Sequence, residues 1–180
     1  MSLPSTGPGT PLRLHVGGEQ VREGWKILNI QPHPGVDFVG TCIDLSQFTD
    51  GSVSEIYASH VYEHLSYAEL EQALREAHRA LKPGGLLRMG VPDLQALARL
   101  LVDPRASTDT HRHIIMMIYG GQIDPFDFHK VGFTWPILQE TLEIVGFRNI
   151  RKVDEFHLFD DITSMMYEGR RVSLNVQAQK

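Results

Sequence analysis

The stretch S-Y-A-E-L-E-Q-A-L-R-E-A-H-R-A-L-K-P-G-G-L-L-R-M-G-V-P-D, Ser66 to Asp93, decides the fold class. Ser66 and Glu69 have the spacing of a capping box, in which each side chain satisfies the other residue's backbone amide. Tyr67, Leu70, Ala73, Leu74, Ala77 and Leu81 follow at helical spacing. Lys82-Pro83-Gly84-Gly85 stops that helix, because proline cannot continue it and glycine takes up the left-handed geometry beyond its end. Leu86 to Val91 then reads as a strand, broken by Pro92, with Asp93 placed to cap a further helix carrying Leu94, Leu97, Leu100 and Leu101.

The same alternation extends in both directions. Upstream, Pro11–Val16, Trp25–Ile30 and Asp37–Val39 read as strands, and Val53–Ser59 (V-S-E-I-Y-A-S) alternates cleanly enough to be central. Downstream, Asp103–Phe133 is less regular and reads as an insertion near a site. Thr134 is placed to cap a helix bearing Ile137, Leu138, Leu142 and Val145 and ended by Gly146. Phe147–Phe156 and Val172–Gln177 close the chain as an expected antiparallel pair. Strand and helix in alternation predict an α/β fold, a single doubly wound and mostly parallel sheet with helices on both faces and an antiparallel C-terminal strand. Residues 11–180 are expected to form one domain, with 103–133 on its acceptor side and Met1–Thr10 as a flexible leader.

Composition narrows the function. The chain has 180 residues and a formal net charge of -5, with Lys and Arg scattered rather than clustered, which argues against nucleic acid as a partner. No apolar run reaches the roughly 20 residues of a membrane helix, and no signal peptide is evident. The single cysteine, Cys42, fits a reducing, cytoplasmic setting and a small buried residue. Met116, Met117, Met165 and Met166 fit core filler or an interface, so a homodimer stays open. Nine histidines invite a metal, but an H-x-H pair at His111 and His113 on a helix turns its rings to different sides, and no metal is expected.

Three segments resemble the small class I S-adenosylmethionine-dependent methyltransferases grouped as type 11. Ala80–Asp93 is similar to the family's helix, turn and strand after the cofactor site, and Asp44–His64 to its loop and fourth strand. Leu14–Ile30 (L-H-V-G-G-E-Q-V-R-E-G-W-K-I-L-N-I) occupies the place of the first strand, glycine loop and second strand.

The resemblance implies a Rossmann-like methyltransferase fold with S-adenosyl-L-methionine as cofactor, held around Gly17, Gly18, Glu19, Asn29, Asp44, Ser59 and His60. Glu19 stands where the family has a further glycine, and Asn29 where it has the acidic residue that binds the ribose hydroxyls. His60 and His129 are the candidate bases, with Asp127 orienting His129 and with Tyr119 and Gln122 lining the side of a small-molecule or saccharide-like acceptor. The departures at positions 19 and 29 also motivate a second reading, a methyltransferase-like binding or assembly module that does not catalyse. A nicotinamide enzyme would need G-x-G-x-x-G where Gly17 to Arg22 reads G-G-E-Q-V-R. A nucleic-acid base methyltransferase would carry an N-P-P-Y-like segment where Ser59 to Tyr62 reads S-H-V-Y.

Overall fold

In the computed structural model, which describes residues 11–180, the chain runs β1 (Leu12–Val16), β2 (Lys26–Asn29), β3 (Phe38–Val39), β4 (Val53–Ser59), α1 (Tyr67–Ala80), β5 (Leu81–Pro92), α2 (Leu94–Leu101), α3 (Thr108–Tyr119), α4 (Trp135–Val145), β6 (Arg148–Lys152), β7 (Met166–Tyr167), β8 (Arg170–Arg171) and β9 (Ser173–Gln179). The expected leader, Met1–Thr10, lies outside the described residues. Seven strands form one sheet in the order β3-β2-β1-β4-β5-β9-β6. β1 to β5 are mutually parallel, whereas β9 runs antiparallel to both β5 and β6. The central position of β4 follows from its register, Ile56 pairing with Leu14 on one side and Leu87 on the other.

Strand alternation sorts side chains onto two faces with different covers. Leu14, Val16, Ile56, Ala58, Leu87, Met89 and Val176 face α1 and α4, and pack with Leu70, Leu74, Ala77, Leu138 and Leu142 in one core. Fully burying an aliphatic side chain of this size contributes about 1.5–3 kcal/mol, against about 1 kcal/mol for a helix cap, so this face rather than the capping box holds α1 in place. The box is nevertheless formed: Ser66 N donates to Glu69 Oε2 at 2.7 Å, and Glu69 N to Ser66 Oγ.

Aromatic side chains cover the other face. His15 of β1 and Tyr57 of β4 pack there with Trp25, Phe156 and Phe159. Among the described residues no helix joins β1 to β2 or β2 to β3. The first connection, residues 17–25, is shorter than the dozen or so residues a helical crossover requires. The segment 153–172 roofs this face instead. Tyr57 donates its hydroxyl to Asp161 Oδ2 at 2.6 Å, Asn175 Nδ2 donates to the Asp154 and Thr163 carbonyls, and Gln20 Nε2 donates to the Asp160 carbonyl.

Most expected boundaries hold within a residue or two. Asp93 caps α2 through the amides of Gln95 and Ala96, and Gly146 ends α4 in the left-handed region. Thr134 occupies the N-cap position of α4 without a side-chain cap bond, and Pro136 in the first turn supplies the helical start. The strand expected over 147–156 ends at Lys152; Val153 N still donates to the Asn175 carbonyl in register with β9, and Phe156 beyond it folds onto the aromatic face. Within the irregular stretch, Thr108–Tyr119 is a helix capped by Ser107, which packs on α2 through Ile114. Cys42 is buried, and burial pushes its thiol up to about 11, as fits a small apolar residue. No described helix is long and apolar enough to cross a membrane.

Candidate active site at the carboxyl edge of the sheet

Gly17, Asn29 and Ser59 end β1, β2 and β4 or directly follow them, so the parallel register brings them to one edge. Gly17 is exposed, has φ +69°, and donates its amide to the Leu28 carbonyl at 2.8 Å. A Cβ at Gly17 would come within 2.6 Å of Val61 Cγ2, and one at Gly18 within 2.4 Å of the His15 ring. Both glycines therefore admit a close approach by the chain's own side chains, independently of any ligand. Glu19 is exposed.

Asn29 is wired into the turn. Its Nδ2 donates to the Gly18 carbonyl at 3.1 Å, and its Oδ1 accepts from Gln31 N at 2.9 Å. An aspartate could not make the first bond, which gives the amide a structural reason of its own. Asp44 is exposed; its carboxylate accepts from Ser46 N, and the Ser46 side chain together with this backbone bond holds it below its ordinary pKa. It borders a groove formed with Ile43, Gln72 and Arg75, one loop away from the glycine turn.

A cavity of about 330 Å³ is lined by His60, His64, Asp127 and His129 among Pro92, Met116, Met117, Gly120, Gly121, Ile162, Met165 and Val172. Behind the lining histidines His60 and His129 lies a buried carboxylate, Glu63, whose side chain is 0% exposed. His60 Nδ1 lies 3.1 Å and His129 Nε2 4.0 Å from Glu63 Oε1, yet neither carboxylate oxygen has an aligned hydrogen-bond partner. Ser173 donates its hydroxyl to the Ile162 carbonyl at 3.0 Å, so at 2.7 Å it accepts from His60 Nε2. Nε2 of His60 is thus engaged while Nδ1 lies beside the carboxylate, and its backbone takes a left-handed φ of 52° just past β4. Burial holds His129 below its ordinary pKa, against the opposing pull of the Glu63 carboxylate, and its Nδ1 has no partner.

The remaining expected residues lie at the margin. The carboxylate that faces His129 is Glu63 in place of the expected Asp127, whose Oδ2 is taken up by its own loop, accepting from Ile123 N. Tyr119 is 57% exposed and Gln122 also faces solvent, while Met116, Met117 and Gly120 beside them in sequence line the cavity. Tyr119 contributes through its carbonyl, which accepts from His129 N. Glu63 had a signal in the sequence, the i, i+3, i+4 spacing of His60, Glu63 and His64. Its third neighbour, His129, is 66 residues further on, beyond the reach of local pattern.

A mainly parallel sheet with its antiparallel strand between β5 and β6, bearing a glycine turn at the carboxyl edge, defines a Rossmann-like methyltransferase fold. Residues 18–89 match the family model for the methyltransferase domain. A curated relative, malonyl-[acyl-carrier protein] O-methyltransferase 1 of Coxiella burnetii, is 32% identical over 111 residues, 57% of this chain and 34% of that protein. The match thus spans about a third of the relative's length. A solved S-adenosylmethionine-dependent methyltransferase from Archaeoglobus fulgidus superposes with a TM-score of 0.61 at 18% identity, covering 96% of this chain and 87% of that one. The 1,6-didemethyltoxoflavin-N1-methyltransferase of Burkholderia thailandensis, solved with 1,6-didemethyltoxoflavin and S-adenosylhomocysteine, gives 0.60 at 14%, covering 94% and 70%. Residues 18–89 are thus similar to the methyltransferase domain family, and the fold is that of S-adenosylmethionine-dependent methyltransferases.

Proposed function

We propose that the chain transfers a methyl group from S-adenosyl-L-methionine to an oxygen of a small-molecule acceptor, in a cytoplasmic setting. One observation carries this reading: the turn after β4 joins the two halves of the site, with Val61 against Gly17 and the preceding residue, His60, lining the cavity. Methyl donor and acceptor would meet across two consecutive residues. The cofactor fits the edge in outline, since Gly17 is exposed beyond the strand ends, and Asn29 Oδ1 keeps one lone pair for a ribose hydroxyl. The cofactor supplies an electrophilic methyl on a sulfonium.

The chain's own part is to hold the acceptor in line, exclude water and take its proton. A neutral His129, kept so at pH 7 by burial, is the group suited to accept that proton, with Glu63 beside it to stabilise the charge. His60, fixed by Ser173, is a positioning residue. The apolar part of the cavity, Met116, Met117, Ile162 and Met165, favours an acceptor with an apolar body over a saccharide-like one.

Thermal melting with S-adenosylhomocysteine tests the reading. At a hundred times the dissociation constant, bound ligand adds about 2.7 kcal/mol, or roughly 5–10 °C for a chain of this size. No shift would favour the module that does not catalyse, a reading supported by the glycines being packed by His15 and Val61 and by the Gln20 bond that ties the turn to Asp160. Asn29→Asp is the companion test. A carboxylate would accept from the ribose with charge assistance, so S-adenosylhomocysteine affinity should rise about tenfold. The melting temperature should fall by a few degrees as the bond to Gly18 is replaced by repulsion. Unchanged affinity would remove Asn29 from the ribose.

A further inference from the structure

Glu63 is a carboxylate with 0% exposure whose two oxygens lack aligned partners. A charge desolvated in this way is costly unless a cation compensates it. One oxygen of Glu63, one nitrogen of His64 and one of His129 lie within 4.8 Å of one another. The rings of His64 and His129 meet edge to face at 4.9 Å between centroids. Four-coordinate zinc with bonds of about 2.0–2.1 Å sets its ligands roughly 3.4 Å apart, so side-chain rotations of a few tenths of an ångström to an ångström would close the set.

We propose that Glu63, His64 and His129 bind a divalent cation of the zinc type. Two imidazoles and one carboxylate are a borderline donor set that suits zinc and its transition-metal neighbours better than magnesium or calcium, which prefer oxygen. Three protein ligands also leave a fourth position for water or a substrate oxygen, as in catalytic rather than closed structural sites. The outer contacts needed to hold such ligands are in place. His64 Nδ1 is 3.3 Å from the Phe128 carbonyl, which as a donor interaction fixes the tautomer and frees Nε2. His60 Nδ1 stands beside the same Glu63 oxygen, Oε1, that faces His129, and orients the carboxylate. His64 and His129 both line the acceptor cavity, so an acceptor hydroxyl bound at the fourth position would have its pKa lowered by the ion, and His129 would then hold the metal rather than the proton. That role rests on the methyl-transfer reading, whereas cation binding does not.

Equilibrium dialysis of the full chain against Zn²⁺, with Co²⁺ visible absorption as a geometric probe, tests the site in the absence of any nucleoside. One zinc per chain is expected, with a tetrahedral Co²⁺ spectrum. Glu63→Gln and, independently, His64→Ala should weaken binding by more than about 100-fold, because altering only the outer partners of a metal ligand already costs about 10–100-fold. The paired substitution His111→Ala and His113→Ala should leave it unchanged. Absence of stoichiometric zinc, or affinity that survives Glu63→Gln and His64→Ala, overturns the proposal. Because the S-adenosylhomocysteine shift is measured without metal, either reading can fail while the other stands.

Discussion

Gly18→Ala is expected to lower stability by about 2–3 kcal/mol, or roughly 5–10 °C in melting temperature, before any question of cofactor arises. The added methyl would sit 2.4 Å from Cγ and Nδ1 of His15 and 2.7 Å from its Cε1. A flexible surface side chain could swing away from such a contact. His15 cannot: it is 5% exposed, its ring is stacked at 3.9 Å on Phe159, and Tyr57 closes its edge at 5.2 Å. The strain must therefore pass to the β1 turn or to the roof formed by residues 153–172. A double substitution identifies which contact is responsible. Shortening the ring in His15→Ala makes room for the new methyl, so the combined loss should be smaller than the sum of the single losses by at least about 1 kcal/mol. Urea unfolding of the four proteins reads this coupling, and additive losses would mean that Gly18 is required for some reason other than His15.

That glycine marks where the sequence was legible and where it was not. Gly17-Gly18 could be read as a turn at a strand end, because a glycine pair after an apolar alternation is a local signal. What packs on the turn is not local, since Val61 and Phe159 come from far along the chain. The same division runs through the fold. Val53–Ser59 and the box at Ser66 and Glu69 are fixed by neighbours a few residues apart, and were read with their observed bounds. α3 is obscure in sequence because its first half, T-D-T-H-R-H, is polar and has no fully buried residue; Ile114, with Met117 and Ile118 packed beside it, meets α2. The roof over His15 and Tyr57 has no periodicity at all, being held by bonds such as Tyr57 to Asp161 across 104 positions. In the candidate site, His60 is legible as the residue after β4 and His129 as a histidine in the irregular segment. Proximity in sequence points to Asp127 as the carboxylate beside His129, whereas the fold brings Glu63 there.

His15 also governs how the fold should respond to acid. Burial lowers its pKa to about 4 from an ordinary 6.5, the nearby Asp161 carboxylate opposing the shift only in part. Between those two values the unfolded chain binds a proton that the folded chain refuses, so stability rises with pH across this window and falls as the solution is acidified. At and above neutrality the imidazole is neutral in both states and its contribution is intact. The loss begins as pH drops below 6.5, grows by up to about 1.4 kcal/mol per pH unit, and levels off near 3 kcal/mol once pH passes below the folded value. Carboxylates such as Glu76, held low by Arg79, add their own acid sensitivity mainly below the ordinary glutamate value of 4.5, which leaves pH 6.5 to 4.5 as the informative interval. Burial also lowers His78 and His129, so the wild-type slope there exceeds one proton. The decisive quantity is the difference between wild type and His15→Met, which fills similar space without titrating and removes a buried nitrogen, Nδ1, that has no partner. Urea unfolding at several pH values should show the variant equal to or more stable than wild type at pH 7. Its slope over pH 6.5 to 4.5 should be shallower by close to one proton. Parallel curves would mean that His15 takes up its proton in the folded state as readily as in the unfolded one, and that the aromatic roof over the sheet is open to water.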